Sequence, residues 1–414
     1  MRSTRTASLA ACAALLLPPL LAACTDSPAP RTPPPKRPPS TSPAGDGPFG
    51  APARIPSAPG LPGWAHGVGF AADGSGFVLL VQCVTDEARP ANGFCRQQVA
   101  VLDRGARSWM PRSTPLPEIP ATRGVTAGLT VLGSGRALIE DGGGDEPERT
   151  WFTRDGGRTW RAVDRRTAGR TPAIPDGGVL TTACAAPEGA GPDACARERL
   201  VVISPEDGRR RALAGAPELG AHPAPAPVAE PDGSWWVSGV DPASGRVAVA
   251  VSRDAGRSWT AGPLPSPGGR NAARHVTVVV GPDAVYAAEP GDPAEPGGGE
   301  PVRNPLRALH RSLDGGRTWT RTWTTGPARE PRSLSGLPVP GPGGRVWVPG
   351  DLRAYESTDG GRTFRSSAHG TAWVRRTGIG LLREDDRCLF RSTRDGVRWS
   401  EFRLACVDPV GDAG

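Results

Sequence analysis

The chain has 414 residues, 37% hydrophobic and 22% charged, enough apolar material for a core, which excludes a chain disordered throughout. Its 56 Gly and 48 Pro are spread as punctuation, which argues against long helices and for many short strands and turns. The net charge of +7 comes without any Lys/Arg run of five or more, and Arg is interspersed with Asp and Glu, so a dedicated nucleic-acid stripe is excluded. Lys36 is the only lysine, and the heavy use of Ala, Gly, Pro and Arg fits a GC-rich bacterial genome.

Arg2 and Arg5 precede an apolar run from Ala7 to Ala23, broken only by Ser8 and by Pro18-Pro19. That order reads as a signal peptide, since a spanning helix tolerates the two prolines poorly. The run ends in Leu21-Ala22-Ala23-Cys24, which resembles the bacterial lipobox. The resemblance implies cleavage before Cys24, a diacylglyceryl group on its thiol, and export to the outer face of the cytoplasmic membrane; two or more acyl chains anchor stably. Residues 24–60 are rich in Pro, Ser, Thr and Ala and read as a disordered stalk. The expected organisation is signal peptide 1–23, linker 24–60, folded body 61–406 and tail 407–414.

Within the body six cysteines fall into sequence-local pairs, Cys83 with Cys95, Cys184 with Cys195, and Cys388 with Cys406. Export makes disulfides reasonable, and a bridge closing a loop of about 15 residues contributes on the order of 3 kcal/mol. No CxxC occurs and histidines are sparse, so neither a zinc site nor any other metal or cofactor is expected. Asp141 to Glu146 could suggest calcium, but a solvated hairpin tip is the reading adopted, and Glu384-Asp385-Asp386 is read the same way.

A repeat runs through the body. The segments beginning at Thr153, Ser252, Ser312 and Ser357 all obey S/T-x-D-x-G-x-S/T-W/F, placing Asp155 with Trp160, Asp254 with Trp259, Asp314 with Trp319, and Asp359 with Phe364. Weaker copies centre on Asp103, Glu206 and Asp395, giving steps of mostly near fifty residues. The acid can hold a turn through backbone amides, the Gly takes a backbone angle other residues resist, and the aromatic opens the next strand. Strand-like runs flank each copy, among them His66–Phe70, Phe77–Val84, Gln98–Leu102, Leu200–Ser204 and Val247–Ser252. Four strands per repeat, with the motif between the third and fourth, predict an all-β fold: a seven-bladed β-propeller, with six blades the alternative. Since each repeat owns four strands, closure of the ring needs none from the N-terminal segment.

At these motifs the chain resembles the Asp-box propeller superfamily, which includes sialidases, sortilin-type receptors, xyloglucanase-like enzymes and photosystem-assembly propellers. The resemblance implies that the motifs mark the fold and lie on the face opposite the ligand. The longest insertions, Thr85–Phe94, Ala185–Ala194 and Glu289–Asn304, fall between second and third strands, so that face is the expected binding face. A sialidase would need an Arg cluster, an acid and a Tyr nucleophile. Arg54 in Ala53-Arg54-Ile55-Pro56, Asp73 in an ordinary-looking turn, and Tyr355 just before a repeat motif are the candidates. The sequence therefore favours a monomeric, membrane-anchored binding or scaffold module for a protein or cell-wall glycan, with a sialidase-like glycosidase as the alternative.

Overall fold

Runs such as Gly76–Val84 and Val247–Ser252 are buried at nearly every position, where a strand with one solvated face would alternate. Such strands need cover on both sides. The computed structural model describes residues 47–406 apart from 85, 87, 144–145, 188–194, 266–272, 292–301 and 327–328. In it, seven mainly antiparallel sheets stack radially into a ring, a seven-bladed β-propeller. Val78 and Leu80 of blade 1 pack with Phe390 and Phe402 of blade 7, while Phe77 and Leu79 on the opposite face pack with Ala137 and Ile139 of blade 2. One apolar cluster fills each interface around the ring, including the closing one between blades 7 and 1.

Blade 1 runs from the channel outward as Trp64–Phe70, Gly76–Val84, Phe94–Leu102 and Met110–Ser113, and blade 7 as Trp373–Thr377, Gly380–Asp386, Leu389–Thr393 and Ser400–Arg403. Turns between first and second strands share a face with the motif turns: Gly156 N–H donates to Gly135 O, and Gly360 N–H to Gly344 O. We call this the corner face. Connections between second and third strands emerge on the opposite, loop face. Disulfides join Cys83–Cys95, Cys184–Cys195 and Cys388–Cys406, the first two at the bases of second-to-third connections.

The four full motifs share one hydrogen-bond pattern. In blade 5, Asp314 Oδ1 accepts from Ser312 Oγ and from Thr318 N–H, Asp314 Oδ2 accepts from Thr318 Oγ1, and Ser312 Oγ accepts from Gly316 N–H. Asp155, Asp254 and Asp359 repeat it. The glycine has a second reason to be there. Gly316 has φ of 90°, and a Cβ on it would lie 2.5 Å from the Trp236 ring of blade 4. Trp319 then meets Trp236 edge-on with centroids 6.4 Å apart. Phe364 of blade 6 likewise meets Trp323 of blade 5 at 4.9 Å. Each corner thus closes its own hairpin and also seats it against the preceding blade.

Blade 3 departs from the expected four strands. Its second, third and fourth strands are Val179–Pro187, Cys195–Ile203 and Arg210–Leu213, and Arg170–Thr171 pairs in parallel outside the last of them. No inner strand forms. The chain instead crosses the corner face, where Ile174 N–H donates to Ala255 O of blade 4 and Gly177 closes on Leu132 O of blade 2. The corner of blade 3 also differs from expectation: Glu206 is exposed, and Asp207 takes its place, bonded to both terminal nitrogens of Arg211. In blade 1 the Asp103 carboxylate makes no hydrogen bond among the described residues, and Trp109 secures the corner by donating to Pro56 O. Glu384 and Asp385 belong to a strand rather than a solvated tip, and Asp385 pairs with Arg383 and Arg391.

The folded body begins before Leu61, so the boundary drawn at 60/61 moves. Pro48 lies at the corner-face mouth of the channel, Phe49 packs on the blade 4–blade 5 cluster, and Ile55 is buried between blades 7 and 1. Ala58 then bridges in parallel to Leu404 beyond the outer strand of blade 7, with Ala58 N–H on Arg403 O and Ala405 N–H on Ala58 O. Blade 7 takes its four strands from the C-terminal repeat as expected, but the N-terminal segment latches its outer edge.

Two outcomes are expected. Gly316→Ala should destabilise by about 2 kcal/mol or more, from left-handed strain and the clash with Trp236, measured by chemical denaturation. The corners also confer acid sensitivity. Hydrogen bonds from Ser258 and Ser252 hold Asp254 at about 2, and Arg211 holds Asp207 at about 2. These groups stabilise fully above the ordinary carboxylate value and lose that contribution as pH falls toward 2. Melting temperature should therefore drop between pH 4 and 2, and the drop should shrink in Asp254→Asn.

Candidate functional site

The first strands of the blades surround a central channel, and it is divided. Arg376, on the inner strand of blade 7, is an ion-pair partner of Glu230 at the first turn of blade 4 and also donates to Val278 O of blade 5. Both side chains are buried, at 5% and 1% exposure. Burial pushes the Glu230 carboxyl up to about 7, against the pull of Arg376. The pair crosses the ring near its axis and leaves a cavity on either side, Arg376 forming part of the wall of both.

The corner-face cavity, about 850 Å³, is lined by the first turns of the blades, with Arg104, Arg136 and Arg394 at blades 1, 2 and 7. The crossing segment of blade 3, residues 174–178, forms part of its wall, so this wide mouth lies where that blade lacks an inner strand. Of the motif corners, the residues reaching it are Arg104, Ala255 and Arg394, not the motif acids or aromatics. The larger cavity thus lies on the face opposite the expected one.

The loop-face cavity, about 310 Å³, lies among the inner strands of blades 4 to 7. Pro225, Pro227, Val276, Leu337 and Val374 give it apolar walls. Trp373 stands at its mouth, 48% exposed. Arg375 lines it, half-buried, with no hydrogen bond or ion pair among the described residues. Burial lowers the pKa of its guanidinium against the pull of Glu384, whose own carboxyl burial pushes up.

The three enzymatic candidates are not brought together. Arg54 is exposed on the segment that packs between blades 7 and 1, and lines neither cavity. Asp73 lines the corner-face cavity, but its Oδ1 accepts from Ser75 N–H and Ser75 Oγ, closing the first turn of blade 1; Asp232 and Ser234 repeat this in blade 4. Tyr355 lies on the third strand of blade 6, at its loop-face end, half-buried. Burial raises its hydroxyl pKa, and the neighbouring Glu330, which hydrogen-bonds it, raises it further, the wrong direction for a nucleophile. Glu330 is itself engaged by Arg332 through Nε and the backbone N–H. The remaining tyrosine, Tyr286, is buried in the blade 5–blade 6 cluster.

The three long insertions leave from the loop face as their strand order dictates. Residues 188–194 and 292–301, the middles of two of them, lie outside the described residues, as do 144–145 of the acidic hairpin. Cys24 and the signal peptide expected at 1–23 lie outside them too. Sequence reasoning missed Glu230, Arg375 and Arg376. Their signal was the Arg375-Arg376 pair on a first strand, where the first strands of the other blades carry no arginine.

No family model matches the chain, and no curated protein matches it. Solved structures do. A structure of "YCF48 bound to D1 peptide" is 14% identical over 85% of this chain and 86% of its own, with TM-score 0.28. A PL25 ulvan lyase bound to its glucuronate-containing ligand is 12% identical over 87% and 96%, with TM-score 0.42. Trypanosoma rangeli sialidase is 15% identical over 84% and 54%, with TM-score 0.33. At these values no residue's role carries over from any of them.

The axial ion pair makes a prediction. With its folded pKa raised to about 7, Glu230 favours the folded state fully below its ordinary value near 4.5, and that contribution is lost as pH rises through 7. Wild-type melting temperature should fall from pH 5 to pH 8, and Glu230→Gln should flatten that limb. Arg376→Ala strands a buried carboxylate at a cost of about 3–5 kcal/mol at pH 8. The loss should be smaller at pH 5, where Glu230 is protonated, by denaturant titration at both pH values.

Proposed function

We propose that this protein is an exported lipoprotein, anchored through Cys24, whose propeller serves as a binding module presenting its loop face to a partner. One observation carries the reading: the loop face combines an exposed Trp373 and an apolar cavity, on the side from which the insertions that depart most from the repeat leave. Loops held by a rigid scaffold commonly carry recognition. The disulfides at the bases of two of those loops fit the same use. The motif corners are read as Asp boxes with a purely architectural role, supported by their bonding within the turn and against the preceding blade. Pro48, near the start of the described residues, lines the corner-face cavity rather than the loop-face one.

The glycosidase reading keeps one supporting observation, the Tyr355–Glu330 hydrogen bond. Purified protein should leave fluorogenic sialosides intact; hydrolysis abolished by Tyr355→Phe or Arg54→Ala would establish the enzyme instead. Binding is tested by capture from isolated cell wall and from membrane extract, where retention on either, lost on deleting residues 290–299 or on Trp373→Ala, is the expected result. Anchoring is tested by Cys24→Ser, which should shift the protein from the membrane fraction to the soluble exported fraction.

A further inference from the structure

Arg376 is buried in the wall of the corner-face cavity, yet only part of its guanidinium is used. Both of its hydrogen bonds, to Glu230 and to Val278 O, leave from Nη2. Its Nε is buried without a partner, and its Nη1 donates to nothing among the described residues. Its counter-ion is conditional. Glu230 is held by Arg376 from blade 7 and by Val280 N–H from blade 5, while Asp232 in its own turn opposes its charge. Asp73 from blade 1 and Asp176 from the blade 3 crossing line the same cavity. Burial holds the Glu230 carboxyl at about 7, so near neutral pH it takes up a proton readily. Arg376 is then a buried cation without a counter-ion, a costly state that an entering anion relieves.

The outer part of the cavity is also cationic. Arg104 and Arg136 are exposed there, and neither side chain makes a hydrogen bond or ion pair among the described residues. Arg394 uses only Nε, on Ile379 O. Asp73 is committed to Ser75 and closes its own turn rather than pairing with these arginines. Leu132, Val228, Trp235 and Leu381 give the same cavity an apolar lining. A ligand suited to it has an anionic group at each end and an apolar middle. The volume of about 850 Å³ is in the range of small-molecule sites, roughly 300–1,000 Å³.

A guanidinium suits carboxylates and phosphates alike. Protonation of Glu230 separates the two. A phosphate monoester loses its second charge with a pKa near 6, close to the range in which Glu230 takes up its proton, whereas a carboxylate ordinarily titrates near 4 and stays ionised.

We propose that the corner-face cavity binds a small α,ω-dicarboxylate together with one proton. Arg376 takes one carboxylate as Glu230 becomes neutral, Arg104 and Arg136 take the other, and the proton passes from solvent to the Glu230 carboxylate. This site is independent of the loop-face reading, and it opens on the face where the motif resemblance puts no ligand.

The test is isothermal titration calorimetry of the full mature chain with linear dicarboxylates of about four to ten carbons, the monocarboxylates of equal length, and glycerol phosphate. At pH 6.5 one or more dicarboxylates should bind, each at least about tenfold more tightly than the matching monocarboxylate. Binding should weaken at least about tenfold by pH 8.5, because Glu230 must be protonated against a rising pH. Titrations in Tris and in HEPES at pH 7.5 should show uptake of about one half to one proton per ligand. Glu230→Gln should bind at pH 8.5 as the wild type does at pH 6.5. The doubly substituted Arg104→Gln, Arg136→Gln chain changes only exposed side chains, and it should bind dicarboxylates no better than monocarboxylates. Absence of binding by every dicarboxylate overturns the proposal, as does binding without proton uptake or binding unchanged in the double variant. Tighter binding of glycerol phosphate than of any dicarboxylate overturns it in favour of a phosphate site.

Discussion

Every blade needs a neighbour on both of its faces, and that constraint shapes the rest of the molecule. A sheet whose strands are apolar on both sides cannot end in solvent, and a ring is the arrangement in which no sheet has to. The burial is substantial: Phe77, Leu79, Phe152 and Trp236 are each below 2% exposed, and fully burying an aliphatic or aromatic side chain of this size contributes about 1.5–3 kcal/mol. The corners are subordinate to the same requirement. Their glycines are small because an aromatic or aliphatic side chain of the preceding blade occupies the space a Cβ would take, as Trp236 does at Gly316 and Leu309 at Gly361. Their aromatics point back into that interface. A motif that reads as a turn in the sequence is therefore equally an interblade contact.

This explains what was legible in the sequence. The corners at Asp155, Asp254, Asp314 and Asp359 specify local geometry through residues within four positions of each other, so their meaning survives in one dimension. Strand runs such as Val247–Ser252 survive for the same reason. The blade 3 corner was read one residue out, because Glu206 and Asp207 are adjacent acids and the choice between them is made by Arg211 four residues on. The crossing at residues 174–178 was invisible, since its partners Leu132 and Ala255 belong to the blades on either side. The N-terminal latch was hidden by composition. Residues 47–60 look like stalk, yet Ile55 and Ala58 meet residues some 350 positions later in the chain, at Phe402 and Leu404.

The site was the least legible part, and charge is the reason. Repeats average out their surface, but buried charges mark where the ring departs from repetition. Glu230 and Arg376 sit on first strands or turns 146 residues apart and meet only because the ring brings blades 4 and 7 to a shared axis. Glu289 and His310 form a second buried pair, 3.1 Å apart in blade 5. Truncating one member of such a pair is far more damaging than forming the pair is stabilising, so buried pairs fix geometry more than they add stability. Here the axial pair fixes a partition.

That partition separates two cavities that the same inner strands could otherwise have joined. The corner-face cavity is wide because blade 3 lacks its inner strand, and the N-terminal segment occupies part of its mouth through Pro48. The loop-face cavity is smaller and apolar, with Arg376 in its wall, and none of the described N-terminal residues lines it. Volume alone would favour the first as the site of recognition. An exposed aromatic favours the second: Trp373 lines it at 48% exposure, whereas the turns around the wide cavity are closed by their own hydrogen bonds, as at Asp73 and Asp232.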